Sequence, residues 1–321
     1  LDIEISGIQN NSKNVNKGDL FVAIQGFSTD GHQYVENAIE NGAVAIMIQE
    51  GCNLKGANIP DNVTVIMAKD TREGLAIVSD NFYNHPSRKF KLIGVTGTKG
   101  KTTTTFMIKE IFEKAGKKVG LIGTIATYIN GKKVKDSDRT TPESLELQQT
   151  FDEMVKQGVE VVVMEVSSQS LKLNRVEGCN FDIVVFTNFS EDHISPKEHP
   201  DMEDYFNSKL KLFKMCRTGI TNADDLHGAK IPRLFPDSNI TTYGIDNYAN
   251  LLAKDITITN SYVDFKVKLK DKNERVKTGI PGRFSVYNSL AAICVAQKFG
   301  IAPEKIKEAL LDVRVPERSE L

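Results

Sequence analysis

The most informative segment for the fold class is the run Gly94-Val95-Thr96-Gly97-Thr98-Lys99-Gly100-Lys101-Thr102-Thr103. It continues the apolar run Lys91–Val95 and leads into a helical pattern from Lys101 to Ala115, which Gly116 ends. Glycines allow backbone N–H groups to face phosphate oxygens, and a helix N-terminus adds roughly half a positive charge. A strand, a glycine-rich turn and a helix in this order predict a phosphate-binding loop.

The side chains of this loop have separate expected roles. Lys101 is expected to reach the β- and γ-phosphates of a nucleotide, and the Thr102 hydroxyl to bind Mg²⁺. Val95 stands where the strict pattern has a further glycine, so a glycine-rich turn with a solvated lysine is the alternative interpretation. The predicted nucleotide-binding residues are Gly97, Thr98, Lys99, Gly100, Lys101, Thr102 and Thr103.

The loop alone does not identify the reaction that the protein catalyses, because kinases, GTPases and ligases share it. A GTPase would need a guanine-reading NKxD element after a later strand, and the sequence has none there. A small-molecule kinase more often carries a mobile, arginine-rich lid. The residues that separate these classes lie downstream.

Strand and helix patterns alternate on both sides of the loop. The continuous apolar runs Val159–Val166 and Phe181–Thr187 are typical of strands covered on both faces of a parallel sheet. Shorter strand and helix patterns precede a turn-rich linker at Asn84–Ser87. We therefore predict an α/β protein: a small N-terminal α/β domain (1–88), then a mostly parallel, doubly wound P-loop ATPase domain (89–316) with an antiparallel excursion at Asp255–Val276.

Composition excludes several classes of function. The 321 residues include 41 Lys and Arg against 42 Asp and Glu, a net charge of −1, which disfavours a nucleic-acid partner. No apolar run approaches the roughly 18 residues of a membrane span, and no signal-peptide pattern is present. Four scattered cysteines indicate free thiols in a reducing compartment, so we expect a cytoplasmic protein.

Three further side chains are candidates for chemistry. Glu165 ends the apolar run Val161–Met164, where a parallel strand delivers a carboxylate that can hold Mg²⁺; the alternative is a capping or salt-bridged residue. His193 follows the strand at Phe181–Thr187 and can bind a second metal ion, or it is structural. By composition alone Lys209 lies on a solvated helix face.

Several motifs occur in order along nearly the whole chain, and together they resemble the Mur ligase family, within it the MurE type. These are ATP-dependent enzymes that form amide bonds in peptidoglycan precursor synthesis. The motifs are Lys17–Ala23, Asp30–His32, the phosphate loop, Thr140–Glu143, Met164–Ser168, Thr187–Asn188, Asp192–His193, Met202–Tyr205 before Lys209, and Pro281–Phe284 with Asn288.

The resemblance implies a reaction. The MurE type adds the third stem-peptide amino acid to UDP-N-acetylmuramoyl-L-alanyl-D-glutamate through an acyl phosphate that ATP forms on the D-glutamyl γ-carboxylate. Lys101, Lys209, Glu165 and His193 would be catalytic, with Thr102, Glu165 and His193 around the Mg²⁺. Lys209 matches a lysine that carries a carbamate in this family, beside a second Mg²⁺.

The resemblance also implies nucleotide and substrate contacts. Asn288 matches an asparagine on the adenine side, and Arg318 matches an arginine that contacts the nucleotide. The partners would be the UDP-muramoyl-dipeptide and a free amino acid, bound by a monomer. The positions that match substrate-binding residues are Ser12, Thr140, Thr141, Ser167 and Arg175.

The sequence departs from the family pattern at several positions. Gln169 replaces a histidine, Lys99 an asparagine and Glu317 a glycine, and the segment from His193 to Pro200 is longer than usual. The chain lacks an initiator Met, and we expect residues 317–321 to begin a hinge whose C-terminal domain is absent. A divergent paralogue that acts on another glutamyl substrate and a non-catalytic nucleotide-binding protein stay open as alternatives.

Overall fold

The computed structural model describes residues 3–52, 54, 56–192, 194–195 and 198–316. The chain divides into two compact units. The first contains residues 1–86, 143–150 and 173–178, and the second contains residues 87–142, 151–172 and 179–321. Each unit has its own sheet and its own hydrophobic core.

The first unit is built on a parallel sheet of four strands in chain order, β1 to β4. The α2 helix begins at Thr71 because the Asp70 carboxylate accepts from the backbone N–H groups of Arg72 (2.8 Å) and Glu73 (3.3 Å). The elements are β1 Gly7–Gln9, β2 Asp19–Val22, α1 Val35–Glu40, β3 Ala45–Gln49, β4 Thr64–Ala68 and α2 Thr71–Phe82.

The described part of the second unit carries a nine-stranded sheet in the order β13-β12-β11-β10-β5-β9-β6-β7-β8. The central strand β5 pairs in parallel with β9 and β10, as the continuous apolar runs predicted. The strands are β5 Lys91–Thr96, β6 Val119–Ile122, β7 Ala126–Ile129, β8 Lys132–Asp136, β9 Val161–Glu165, β10 Ile183–Phe186, β11 Thr218–Asn222, β12 Asn239–Gly244 and β13 Leu251–Leu252.

Helices α3, α8 and α9 enclose the largest core of this unit, in which the Phe112 and Phe299 rings meet edge to face at 5.2 Å. Helix α8 begins at Arg283, directly after Gly282, whose φ is +94°. The helices beyond α2 are α3 Lys101–Lys114, α4 Ser144–Lys156, α5 Ser168–Lys172, α6 Met202–Lys214, α7 Ile231–Leu234, α8 Arg283–Lys298 and α9 Pro303–Asp312.

Two antiparallel segments complete the second unit. The predicted excursion forms a separate sheet of β14 Lys254–Ile258, β15 Val263–Leu269 and β16 Lys272–Thr278. The hairpin of β7 and β8 was not predicted, since every residue of β8 is exposed and lacks an alternating apolar pattern. Its Asn130-Gly131 turn, with both residues at positive φ, was the signal available in the sequence.

The fold class expected from the sequence is confirmed, with an α/β chain and a mostly parallel central sheet. The carboxyl ends of β5, β9 and β10 lie side by side, with Val95 opposite Glu165 and Thr96 opposite Phe186. Residues that follow these three strands therefore meet at one edge of the sheet. Across the described residues, no helix has the length and apolar character needed to cross a membrane.

Candidate functional site

The phosphate loop passes very close to the end of β10. A Cβ atom added at Gly97, whose φ is +141°, would lie 2.0 Å from Thr187 Oγ1. One added at Gly100, with φ +83°, would lie 2.6 Å from Asn288 Oδ1. Positive φ favours glycine at both positions, and at Gly97 the nearby Thr187 and Asn188 atoms also leave no space for a side chain.

Neighbouring side chains hold the loop in place between β5 and α3. The Lys99 N–H donates to Asn188 Oδ1 (2.9 Å), and Thr98 Oγ1 lies 3.2 Å from the Tyr205 hydroxyl. Thr102 and Thr103 are buried in the first turn of α3. The seven loop residues singled out from the sequence thus lie together at the N-terminus of a 14-residue helix.

Two lysine side chains converge on one carbonyl oxygen of this loop. Lys101 Nζ donates to the carbonyls of Gly97 and Thr98, each at 3.0 Å, and Lys209 Nζ donates to the Gly97 carbonyl at 3.0 Å. Lys101 comes from α3 and Lys209 from α6. Lys101 and the α3 N-terminus concentrate positive charge where the loop turns.

Lys209 is buried, and the expectation of a solvated face from composition was wrong for this residue. Its side chain is 1% exposed, and Nζ lies 4.4 Å from the centroid of the Tyr205 ring. Burial lowers the pKa of Lys209 well below 10.5, the nearby charge of Lys101 lowers it further, and Asp192 opposes the shift. Lys211 lies on the same helix but is exposed, so the orientation of α6 determines which of the two lysines is buried.

Glu165 lies at the end of β9 as expected, buried to 1% exposure. Thr102 Oγ1 donates to its Oε2 (3.1 Å), as does Thr124 Oγ1 (3.0 Å), and the Thr124 N–H donates to Oε1 (3.0 Å). A Cβ at Gly123 would lie 2.4 Å from Oε1, so glycine there makes room for the carboxylate. Thr124 and Gly123 were missed because no motif marks them.

The oxygen atoms of Thr102 and Glu165 suit a hard divalent cation. A hydroxyl from the loop and a carboxylate from the neighbouring strand are already within 3.1 Å of each other, which fits a shared Mg²⁺. In the part of the chain that the structure describes, no group of three or more His, Cys, Asp or Glu side chains is arranged to hold a metal ion. His193, the other predicted metal ligand, lies outside the described residues.

Three predicted substrate-binding residues lie around the end of β9. Thr141 Oγ1 donates to the Glu165 carbonyl (3.0 Å) and accepts from the Ser167 N–H (3.1 Å). Thr140 Oγ1 lies 3.1 Å from Thr124 Oγ1. Thr140, Thr141 and Ser167 therefore form one cluster with the Glu165 carboxylate.

The other two predicted substrate residues belong to the first unit. Ser12 is buried in a short 3₁₀ turn, where its carbonyl accepts from Asn41 Nδ2 (2.9 Å). The Arg175 guanidinium pairs with Glu143 at 2.8 Å and is also buried. Arg318, expected to contact the nucleotide, lies outside the described residues, as does Glu317.

Asn288 lines a cavity of about 180 Å³ next to the loop. Its Oδ1 accepts from Thr104 Oγ1 at 3.3 Å. Asp224 also lines this cavity. Burial raises its pKa, but hydrogen bonds from the backbone N–H groups of residues 245–247 and from the Tyr287 hydroxyl outweigh burial and keep the pKa below 3.8. The sequence did not point to Asp224. The cavity is lined by Asn188, Asn222, Asp224, Asp225, Phe284, Tyr287 and Asn288.

The fold and this site define a class: an α/β protein with a strand, phosphate loop and helix at the centre of a parallel sheet. Two family models match the chain, the Mur ligase middle domain over residues 95–296 and the Mur ligase family catalytic domain over residues 4–83. The chain belongs to the Mur ligase family.

Curated relatives are similar along nearly the whole chain. A protein of Clostridium botulinum is 45% identical over 99% of this chain, and one of Caldanaerobacter subterraneus is 46% identical over 99%. Both are named UDP-N-acetylmuramoyl-L-alanyl-D-glutamate–2,6-diaminopimelate ligase. The chain spans 65% and 64% of their respective lengths.

Solved structures share the fold. A UDP-N-acetylmuramoyl-L-alanyl-D-glutamate–2,6-diaminopimelate ligase superposes with a TM-score of 0.81 at 23% identity, covering 95% of this chain and 62% of that one. The MurF ligase of Thermotoga maritima in complex with ADP gives a TM-score of 0.65 at 20% identity, covering 98% and 67%. At these identities the likeness extends to the fold alone.

The close approach at Gly97 makes a testable prediction about stability. Gly97→Ala should lower the free energy of unfolding, measured by chemical denaturation, by at least about 1 kcal/mol more than Gly116→Ala does. Gly116 also has positive φ (+79°), but an added Cβ there meets nothing within 4 Å. Adding Thr187→Ala to Gly97→Ala should recover part of the difference, and equal losses at the two glycines would contradict the steric argument.

Proposed function

We propose that this protein acts in an ATP-dependent ligase reaction that joins 2,6-diaminopimelate to UDP-N-acetylmuramoyl-L-alanyl-D-glutamate. The observation that carries the proposal is the convergence of Lys101 and Lys209 on the loop before α3, beside the paired Thr102 and Glu165. The names of the relatives support the choice of both substrates. Synthesis of peptidoglycan precursors would place the protein in the cytoplasm.

The first chemical step would transfer the γ-phosphoryl group of ATP to the D-glutamyl γ-carboxylate, with ADP leaving. Negative charge on that group is the main barrier, and a preformed set of positive groups offsets it. Lys101 and the backbone N–H groups at the start of α3 would supply these groups, and their location at the loop supports this role. The amine of the amino acid then attacks the acyl phosphate and displaces phosphate.

Mg²⁺, when bound, would neutralise phosphate charge, and Thr102 and Glu165 are the residues that would hold it, with His193 as a further ligand. Glu165 already accepts three hydrogen bonds, which fix the orientation of its carboxylate. Asn288 and its cavity would take the adenine side of the nucleotide, and Arg318 would contact the nucleotide.

The muramoyl-dipeptide would be bound by the substrate-binding residues that the sequence predicts. Thr140, Thr141 and Ser167 surround the end of β9, where the reacting carboxylate must arrive. Ser12 and Arg175 would contact the same substrate. In this proposal residues 1–88 bind the UDP-substrate, residues 89–316 bind ATP, and the enzyme is a monomer.

Lys209 would carry a carbamate. A lowered pKa increases the fraction of the amine that is neutral, and the lone pair of a neutral amine can attack the carbon of CO₂ to form an N–C bond, after which the nitrogen loses a proton. The product is a carboxylate at the position of the ammonium, which would support a second Mg²⁺. The burial of Lys209 beside Lys101 supports this assignment.

The carbamate has a direct spectroscopic test. After incubation with ¹³C-bicarbonate below about pH 10, where an ordinary lysine is mostly protonated, the protein should show a carbamate carbon resonance. The signal should be absent from Lys209→Met and present in Lys211→Met, a control from the same helix with an exposed side chain. A wild-type spectrum without the resonance would contradict the assignment.

The phosphate loop is tested by nucleotide binding. Lys101→Ala should weaken ATP–Mg²⁺ binding by about 10- to 100-fold in calorimetry, since hydrogen bonds from a charged donor contribute about 1.5–3 kcal/mol. Lys109→Ala is the matched control, because Lys109 lies on the same helix and pairs with Glu113 instead. Equal affinities of wild type and Lys101→Ala would refute the loop assignment.

The reaction is tested by phosphate release from ATP in the full-length protein. Release should require UDP-N-acetylmuramoyl-L-alanyl-D-glutamate and should increase with diaminopimelate but not with lysine, ornithine or glutamate. Stimulation by another of these amino acids would support the ligase reaction but contradict the assignment of diaminopimelate as the added amino acid. No stimulation by any of them would favour a divergent paralogue or a non-catalytic nucleotide-binding protein.

A further inference from the structure

His199 is a fully buried histidine with a partner on each ring nitrogen. Its Nδ1 lies 2.6 Å from Asp204 Oδ2, and its Nε2 lies 2.9 Å from Ser168 Oγ. Asp204 belongs to the first turn of α6, and Ser168 is the first residue of α5. The buried imidazole therefore bridges two helices, through a buried contact to Ser168 and a partly buried contact to Asp204.

The same ring packs towards the residues that line the phosphate loop. The His199 and Tyr205 ring centroids are 5.0 Å apart, and the Tyr205 hydroxyl lies 3.2 Å from Thr98 Oγ1. Lys209 follows Tyr205 by one helical turn and contacts its ring face. His199, Tyr205 and Lys209 thus form a continuous row from the bridge to the Gly97 carbonyl.

The other end of the bridge lies three residues after Glu165. Ser168 directly follows Ser167, whose N–H donates to Thr141 Oγ1. A shift of Ser168 relative to α6 would therefore change the spacing between the Glu165 end of β9 and the lysine on α6. The bridge therefore connects α6, which carries Lys209, to α5, which begins three residues after Glu165 at the end of β9.

The Asp204 carboxylate anchors the bridge. Lys172 Nζ donates to Asp204 Oδ2 (2.9 Å) and to the Glu198 carbonyl (3.0 Å). The hydrogen bond from Lys172, followed by the one from His199, holds the pKa of Asp204 below 3.8 against the effect of burial. An ionised Asp204 accepts from both neighbours at once, which orients the imidazole.

Serine, histidine and aspartate in this order resemble the relay of a serine hydrolase. A nucleophilic serine must reach its substrate, however, and Ser168 is 4% exposed, with its hydroxyl turned to His199. The arrangement is that of a buried bridge between helices.

We propose that His199 is a positioning residue that sets the distance of α6 from the end of β9 and so places Lys209 for the phosphoryl transfer. This inference rests on the proposed function. A displacement of about 1 Å at a reacting group can cost about 100-fold in rate. Loss of the bridge should therefore reduce turnover far more than it reduces nucleotide binding.

His199→Phe is the direct test, because it keeps an aromatic ring against Tyr205 and removes both hydrogen bonds. In the full-length protein, kcat for diaminopimelate-dependent phosphate release should fall by about 10- to 100-fold. The Kd for ATP–Mg²⁺ should change by less than about threefold, since no loop residue is altered. His199→Gln, which can restore one hydrogen bond, should recover part of the lost kcat.

His85→Phe is the matched control. His85 Nδ1 lies 2.6 Å from Asp80 Oδ2 at the same sequence separation of five residues, but this pair belongs to the first unit. The control should keep kcat within about twofold, because neither His85 nor Asp80 is proposed to bind nucleotide or substrate. Equal kcat losses in the two variants would overturn the proposal.

A second measurement does not depend on ligase activity. Reductive methylation of Lys209, followed by mass spectrometry of its peptide in CO₂-depleted buffer, reports how well the amine is buried. The rate should increase several-fold in His199→Phe and stay at the wild-type level in His85→Phe. Unchanged labelling in His199→Phe would overturn the placement of Lys209 by His199.

The two proposals fail in distinguishable ways. An inactive wild type would reject the proposed function, and the labelling rates would still decide the role of His199. An active wild type with unchanged kcat in His199→Phe would reject the positioning role alone. A parallel loss of kcat, ATP affinity and thermal stability with wild-type labelling would also reject it.

Discussion

The backbone of Gly97 can approach Thr187 only because it carries no side chain, and the rest of the site depends on that approach. It turns the Gly97 carbonyl towards Lys101 and Lys209, which come from different helices. Both Nζ atoms donate to this one carbonyl, each at 3.0 Å. One backbone oxygen thus fixes the positions of two lysine side chains at the start of α3.

Burial gives the two lysines different chemical character. Lys101 sits at the open end of the loop on α3, whereas Lys209 is enclosed by Tyr205 and the loop backbone. A low dielectric around Lys209 disfavours its charged form, so its pKa is lowered. This difference in burial is what supports the separate roles proposed for the two lysines.

Much of the site could be predicted because its residues lie in short motifs at the ends of predicted strands. The loop from Gly97 to Thr103 and the carboxylate of Glu165 follow apolar strands, and neighbouring parallel strands bring such residues together. Thr124 and Gly123 could not be predicted in this way. They follow a short strand without a motif, and their roles arise only from the position of the Glu165 carboxylate.

Periodicity and local motifs were enough to predict the fold class, the phosphate loop and the family. Long-range packing decided that Lys209 is buried, whereas Lys211, two residues away, is exposed. It also decided that His199 bridges Ser168 and Asp204. The composition of the chain does not distinguish these side chains from other polar residues. Their chemistry depends on which face of a helix packs against the end of a strand.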